Sequence, residues 1–328
     1  MNSPFLFSVP LLLSQFNEAI MKKALFSFIG IISFLSLISC TNSDSTSTDQ
    51  TTTETSNDPV LDKQKKDYWY NNEAELSSYE LKQARYGEIH EGKAVLVYVT
   101  EPFSKKSYTK SDSWSANDVP VIKLNVTKKF NTGIYPYSMM TSTFVPFSGE
   151  GHSLKVSSSV QEWCGHAFME LENKGKYKGS THSYFQDENH QSISLDSDIL
   201  EDELWSKLRL NPDKLPTGEL KVIPSFFYVR LLHKELKAYK CVASKTEESD
   251  GSMTYSLNYP DLDRTLSIHY GKSFPYQITA WEENYVSGWG AKKKRLETTA
   301  TLIKSIKGPY WEQHNLSDAH LRKELGLE

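Results

Sequence analysis

Little sulfur, almost no net charge and no apolar run long enough to span a bilayer mark this chain, and each shortage removes a class of function. Its 328 residues include three cysteines, and 37 Lys and Arg stand against 41 Asp and Glu, for a formal net charge of −4. The single basic cluster, Lys292-Lys293-Lys294-Arg295 beside Gly290, reads as a solvated turn. With no concentrated positive surface, no nucleic-acid partner is expected. His-Glu-x-x-His, Pro-Cys-x-x-Cys and Gly-x-Ser-x-Gly are all absent, so no metal and no cofactor is called for by a ligand pattern.

What is present starts at Met21. Lys22 and Lys23 precede an apolar run over residues 24–38, shorter than the roughly 20 residues a membrane-spanning helix needs. This is the basic n-region and apolar core of a signal peptide. It ends in Leu37-Ile38-Ser39-Cys40, which resembles the lipobox of bacterial lipoproteins, where the cysteine thiol accepts diacylglycerol. Residues 21–39 are thus expected to be removed and the membrane engaged through lipid on Cys40, since two acyl chains suffice where one is marginal. Residues 1–20 precede a complete signal and read as an upstream extension ahead of the true start. Residues 41–58 hold Ser, Thr, Asn, Asp, Gln and Glu with nothing apolar to bury, so residues 40–66 are expected to form a disordered tether. Thr41 lacks the aspartate of an inner-membrane retention signal, which favours the outer membrane, on either side of it. Asp44-Ser45-Thr46 resembles a short O-glycosylation motif, with Ser45 as the acceptor.

From residue 67 to 328 the sequence is rich in aromatic and branched residues, which suits a β-rich extracytoplasmic protein. A helix is expected over 72–86 from Asn72, Glu75 and the spacing of Leu76, Tyr79 and Tyr86, stopped by Gly87. β texture follows at 94–100, 119–130, 141–147, 153–171, 177–185 and 191–195. A helix over 198–210, started by Asp198 and Glu201 and lined by Leu200, Leu204 and Leu208, is expected to pack across the sheet. Strands resume at 219–223, 226–232, 237–245, 253–259, 264–270, 276–285 and 295–306, and a short helix starts at Ser317. The expected fold is mainly β: a large antiparallel sheet, open half-barrel or sandwich, with an internal helix and helices near both ends. A division into two lobes would fall near 211–217.

Several short motifs invite chemistry. Gly87 to Ala94 matches most of a phosphate-binding loop, but Ala94 replaces the Ser or Thr that holds magnesium. Trp163-Cys164-Gly165-His166 superficially resembles a thioredoxin-type stretch, yet Ala167 stands where the resolving cysteine would be. Cys164 and His166 on one face of a strand would make a nucleophile and its activator; the plainer reading is a structural cysteine beside a strand histidine. Cys164 and Cys241 are also an even pair that invites a disulfide in an oxidising compartment. His233-Lys234-Glu235 and Ser107-Tyr108-Thr109-Lys110 lack their companion motifs. Carboxylates such as Glu162 with Glu170, or Glu282 with Glu283, would serve glycoside hydrolysis only at the right separation. Trp281, Tyr285 and Trp289 would make a carbohydrate platform, although such aromatics more often pack a core.

Stretches such as Trp69-Tyr70-Asn71-Asn72-Glu73-Ala74-Glu75-Leu76 and Val160 to His166 resemble a family of uncharacterised Bacteroidetes lipoproteins. Some of its members are labelled septum formation inhibitor Maf, but the Ser-x-Ser-Pro-Arg-Arg motif of Maf proteins is absent here. The hairpin of Arg264 to Tyr270 with Phe274 to Ile278 is similar to those of envelope lipid carriers with open β half-barrels, which implies a curved sheet. The leading expectation is a non-enzymatic envelope lipoprotein binding an apolar ligand or a protein partner on that sheet. An envelope hydrolase or transferase using Cys164 and His166 is the alternative, and glycan binding through Trp281 and Trp289 is a third.

Overall fold

The computed structural model describes residues 59–328 apart from residue 187. Cys40, Ser45, the signal and upstream assignments and the tether up to residue 58 lie outside the described residues, whereas residues 59–66, expected to be disordered tether, belong to a helix. After helix α1 (Pro59–Trp69) come β1 (Ala74–Arg85), β2 (Glu88–Ser104), the two-residue β3 (Thr109–Lys110), β4 (Asp118–Thr132), β5 (Tyr135–Pro146), β6 (Lys155–Glu162), β7 (Gly165–Asn173), β8 (Tyr177–Ser183) and β9 (His190–Leu195). A short β10 (Ile199–Leu200) leads into helix α2 (Glu201–Leu210), and β11 (Gly218–Ile223) leads into helix α3 (Phe226–Leu231). Strands β12 (Tyr239–Glu247), β13 (Met253–Tyr259), β14 (Arg264–Tyr270), β15 (Ile278–Ser287) and β16 (Lys294–Gly308) precede a terminal helix, α4 (His320–Glu324).

All of these strands belong to one sheet, ordered β10 to β16, then β1, β2 and β4 to β9, with β3 paired to β2. Every pairing is antiparallel except β10 with β11. The alternation that drives it is plain in β14, where Arg264, Leu266, Ile268 and Tyr270 are buried and the residues between them are partly exposed, as period-two side chains on a half-buried sheet require. Strand β1 pairs with β16, so the strands on either side of residues 211–217 share one sheet.

The sheet must curl. Its two edge strands, β9 and β10, are consecutive in sequence and separated only by residues 196–198, so Leu195 and Ile199 are at most about 15 Å apart at 3.8 Å per residue. The edges do not pair; side chains seal them instead. Val156, Met169, Leu171 and Tyr177 from β6 to β8 cluster with Leu200, Ile223, Phe226 and Val229 from the opposite edge and α3. Covering an unpaired edge in this way keeps it from recruiting another strand.

The space enclosed is filled by α2 and α3. Eight of the ten α2 residues are buried, including Glu201, Asp202, Glu203 and Arg209, and a charged helix survives inside a sheet only if its charges find partners. Arg209 donates to both carboxylate oxygens of Glu75 on β1, each at 2.6 Å, and to the Pro275 carbonyl at 2.9 Å. Its guanidinium also lies over the rings of Trp69 and Tyr98, 5.2 and 4.9 Å from their centroids. At the other end Arg264 donates to Glu201 at 2.5 and 2.7 Å and to Glu283 at 2.7 Å, while Glu203 accepts from the Ser153 N–H and Lys207. Helix α2 is thereby tied to distant parts of the sheet.

Four expected elements differ. Most of the expected helix over 72–86 is strand β1 (Ala74–Arg85), and the N-terminal helix lies earlier, at Pro59–Trp69. Most of 226–232 is helix α3, capped by the Ser225 hydroxyl accepting from Phe227 N–H at 3.3 Å; every residue of α3 is buried, which explains the absence of a polar face. The stretch 153–171 is two strands broken by a turn at Trp163 and Cys164. The internal helix starts at Glu201 with Leu200 as its N-cap and no side-chain cap. Among the described residues no helix is long and apolar enough to cross a membrane.

Candidate functional site

The hairpins β1–β2, β4–β5, β6–β7, β8–β9 and β15–β16 all turn at one end of the curled sheet. We call this end the mouth. Local sequence sets each tip. Tyr86-Gly87 is a two-residue loop with φ of 56° and 80°, the signs of a type I′ turn, whose twist matches the flanking strands. Gly87 has a second reason to be glycine, since a Cβ there would lie 2.2 Å from the Lys292 carbonyl oxygen. The β1–β2 and β15–β16 turns therefore interlock, and the Gly87 N–H donates to the Ser287 hydroxyl at 3.3 Å. Gly133-Ile134, with positive φ at the glycine only, has the Gly-first pattern of a type II′ turn.

These tips carry aromatic side chains that follow one another around the mouth. Trp163 stacks on Tyr135 with centroids 6.3 Å apart, and the Tyr135 hydroxyl donates to that of Tyr86 at 3.1 Å. Tyr86 faces Trp289 at 5.2 Å, Trp289 faces His233 at 6.4 Å, His233 faces Phe185 at 6.1 Å and Phe185 faces Tyr184 at 6.0 Å. The Tyr184 ring then covers Gly165, where an added Cβ would meet it at 2.7 Å. Trp163, Tyr184 and Trp289 are 69%, 75% and 59% exposed, an unusual concentration for side chains whose burial is worth so much.

Arginines support the aromatic ring from beneath. Arg85 lies 4.2 Å from the Tyr86 centroid and 5.6 Å from those of Tyr137 and Trp289, and it donates to the carbonyl of Leu231 at the end of α3. Arg230 lies 4.5 Å over Phe185 with Glu188 and Glu162 at 3.8 and 4.0 Å, and among the described residues its Nε and Nη1 have no hydrogen-bond partner. Between the tips is a recess of about 400 Å³ lined by Tyr86, Glu88, His90, Thr132, Gly133, Tyr135, Trp289 and Lys292. That volume is within the range of small-molecule sites. Aromatic faces next to charged and hydroxyl side chains suit a ligand with C–H-rich faces and hydroxyl edges.

The sequence-derived candidates fare unevenly. Trp289 stands at the mouth, but Trp281 is 2% exposed and packs against Tyr79 and Trp205, with centroids at 4.8 and 5.3 Å. Tyr285 is buried as well. The platform expected from Trp281 and Trp289 therefore does not form, because β15 points Trp281, Glu283 and Tyr285 inward and Trp289 lies beyond the strand. Cys164 and Cys241 are both free, one exposed and one buried, so the expected disulfide is not formed. Burial pushes the Cys241 thiol up to about 12, with the Glu201 charge acting in the same sense.

Cys164 and His166 do not sit side by side on a strand face, since Cys164 is at a hairpin tip and His166 has entered β7. The neighbour of the thiol is Glu162, which accepts from the Cys164 N–H at 2.6 Å and, by hydrogen bond and charge, raises the thiol above its ordinary range. An activated nucleophile needs the reverse. Glu170 pairs with Lys155 at 2.8 Å, away from Glu162, while Glu282 is exposed and Glu283 faces inward to Arg264. His233 pairs with Glu188 at 2.5 Å. Among the described residues no three His, Cys, Asp or Glu side chains converge to hold a metal ion.

Inside the sheet a gap of about 30 Å³ beside α2 and α3 is lined in part by Lys128, Asp202, Glu283 and Trp281, room for about one water. Lys128 is buried, its ammonium 5.4 Å from the Phe227 centroid, with no hydrogen bond or ion pair among the described residues, and burial lowers its pKa. Burial and the Glu201 charge push Asp202 up to about 6.

No family model and no curated protein matches the chain. A solved structure similar to it is described as a crystal structure of a beta-barrel-like protein of domain of unknown function DUF1849 from Brucella abortus. The two share 8% identity at a TM-score of 0.42, over 72% of this chain and 98% of that one.

Proposed function

We propose that the chain is an envelope lipoprotein, held on a membrane by lipid on Cys40, whose folded part is a binding module and takes a carbohydrate in the aromatic mouth. The observation that carries this reading is the recess between Tyr86, Tyr135 and Trp289, edged by Glu88, His90 and Lys292. The C–H faces of a pyranose are slightly positive and suit the negative faces of these rings, and its hydroxyls suit the polar edge. An apolar ligand on the concave face of the sheet would need space that α2, α3 and their ion pairs occupy. The thiol environment of Cys164 argues for binding over nucleophilic catalysis.

The test is an array of defined mono- to tetrasaccharides probed with the lipidated mature protein in detergent, beside its Trp289→Ala variant. Selective binding that weakens about tenfold in the variant, equivalent to about 1.4 kcal/mol, supports the reading. No binding, or binding indifferent to Trp289, refutes it. A protein partner is the second reading, favoured by Ile134, Trp163 and Tyr184, which are exposed and do not line the recess. Photo-cross-linking from position 163 in the envelope separates the two.

A further inference from the structure

The opposite end of the sheet carries a second exposed aromatic cluster. Tyr70, Trp114 and Trp311 are 49%, 62% and 40% exposed and, with Pro102 and Pro120, line a recess of about 360 Å³. Its two carboxylates are already matched within the protein, Glu101 with Lys123 at 2.7 Å and Glu73 with Lys307 at 3.7 Å. Beside it, in the hairpin of β2 and β3, Lys105, Lys106 and Lys110 are exposed, and among the described residues no ion pair engages them. The surface thus presents aromatic side chains and free positive charge together. Tyr and Trp favour the membrane–water interface, and free lysines favour anionic head groups.

The chain's own course identifies the occupant. Helix α1 begins at Pro59, ends at Trp69 and delivers Tyr70 directly into this recess, with Tyr70 packed on Phe147 at 4.7 Å. Cys40 is therefore connected to this end of the sheet, and the residues between Cys40 and Pro59 can extend at most about 65 Å. We infer that this end of the protein docks on the bilayer that holds the anchor, with Tyr70, Trp114 and Trp311 at the interface and Lys105, Lys106 and Lys110 on anionic head groups, leaving the mouth turned away from the membrane. The inference rests on lipidation of Cys40 but not on what the mouth binds.

The experiment uses the lipidated mature protein in vesicles of phosphatidylethanolamine and phosphatidylglycerol carrying brominated acyl chains, with tryptophan fluorescence as the readout. Docking predicts quenching that is mostly lost in Trp114→Phe/Trp311→Phe, kept in Trp163→Phe/Trp289→Phe, and reduced by Lys105→Glu/Lys106→Glu. Absence of quenching, or quenching carried by Trp163 and Trp289, overturns it. The intact mass of the same preparation reports the anchor separately. Lipid on Cys40 without quenching removes only the docking, whereas a mature protein without lipid removes both docking and anchoring.

Discussion

Replacing Arg209 by methionine tests whether α2 is a fixed filling of the sheet or a movable insert. In the wild type this guanidinium makes two 2.6 Å bonds to Glu75 and one 2.9 Å bond to Pro275, between the rings of Trp69 and Tyr98. Removing it strands a buried carboxylate that retains only Tyr68 and the 3.2 Å bond from Ser77. Breaking one partner of a buried pair costs about 3–5 kcal/mol, which at a urea dependence of about 3 kcal/mol/M lowers the unfolding midpoint by about 1–1.7 M.

The pH dependence of that loss has a defined sign. Burial alone would raise the Glu75 carboxyl, but the charge and hydrogen bonds of Arg209 bring it below its ordinary 4.5. Its contribution is present above pH 4.5 and is lost as pH falls through the lower folded-state value. The penalty of Arg209→Met is therefore largest near neutrality and shrinks in acid, where Glu75 in the variant takes up a proton. Arg209→Met/Glu75→Gln should cost little more than either single change, the signature of direct coupling. Urea titrations at pH 7 and pH 4 measure all of this. A single-variant cost below about 1 kcal/mol, or additive single and double changes, would refute the view of α2 as a part tied into the sheet.

Asp202 gives the opposite pH signature. With its folded pKa raised from 3.8 to about 6, the native state holds a proton that the unfolded state has lost between those values, so this group lowers stability as pH rises from 4 to 6. Asp202→Asn should remove a slope amounting to about 3 kcal/mol, seen as the difference between wild-type and variant urea midpoints across that range; parallel curves would contradict the assignment. Cys164, though exposed, should react slowly with iodoacetamide at pH 7.5, and Glu162→Gln should speed it by returning thiolate, while Cys241 reacts only on unfolding. Fast labelling of wild-type Cys164 would reverse the argument against catalysis.

Much of the sheet was legible because β4, β13 and β14 alternate cleanly, and the internal helix was legible from Leu200, Leu204 and Leu208. Strand β1 was not, since both of its faces are covered: Tyr79 and Leu81 point into the core, and the Ser78 hydroxyl reaches the carbonyl of Leu325 beyond α4 at 2.5 Å. Burial on two faces erased the period-two signal and left Leu76, Tyr79 and Tyr86 to mimic a helix. Helix α3 was obscured for a related reason, as Phe226, Phe227, Tyr228 and Val229 are the residues of a strand by propensity and of a buried helix by context. The Trp163-Cys164 turn carries no Gly, Asn or Pro.

The mouth was less visible still. Trp289 stood out by type, but Tyr86, Tyr135, Phe185 and His233 come from turns scattered over some 150 residues, and only closure of the sheet gathers them. The one local trace was the Tyr-Gly and Gly-Ile pairs at 86–87 and 133–134, which mark hairpin tips once strands are placed around them. Their meeting depends on the pairing of β1 with β16, a long-range choice that no short window contains.

Fluorine NMR of the lipidated mature protein labelled with 5-fluorotryptophan tests the central claim most directly. The chain has seven tryptophans, and oligosaccharides released from the surface of the producing cells serve as the titrant. Carbohydrate binding in the mouth predicts saturable shifts of the Trp163 and Trp289 signals, assigned by single Phe substitutions, while Trp69, Trp205 and Trp281 stay fixed in the core and Trp114 and Trp311 stay fixed at the far end. Shifts confined to Trp114 and Trp311, or no shift at any tryptophan, would contradict it.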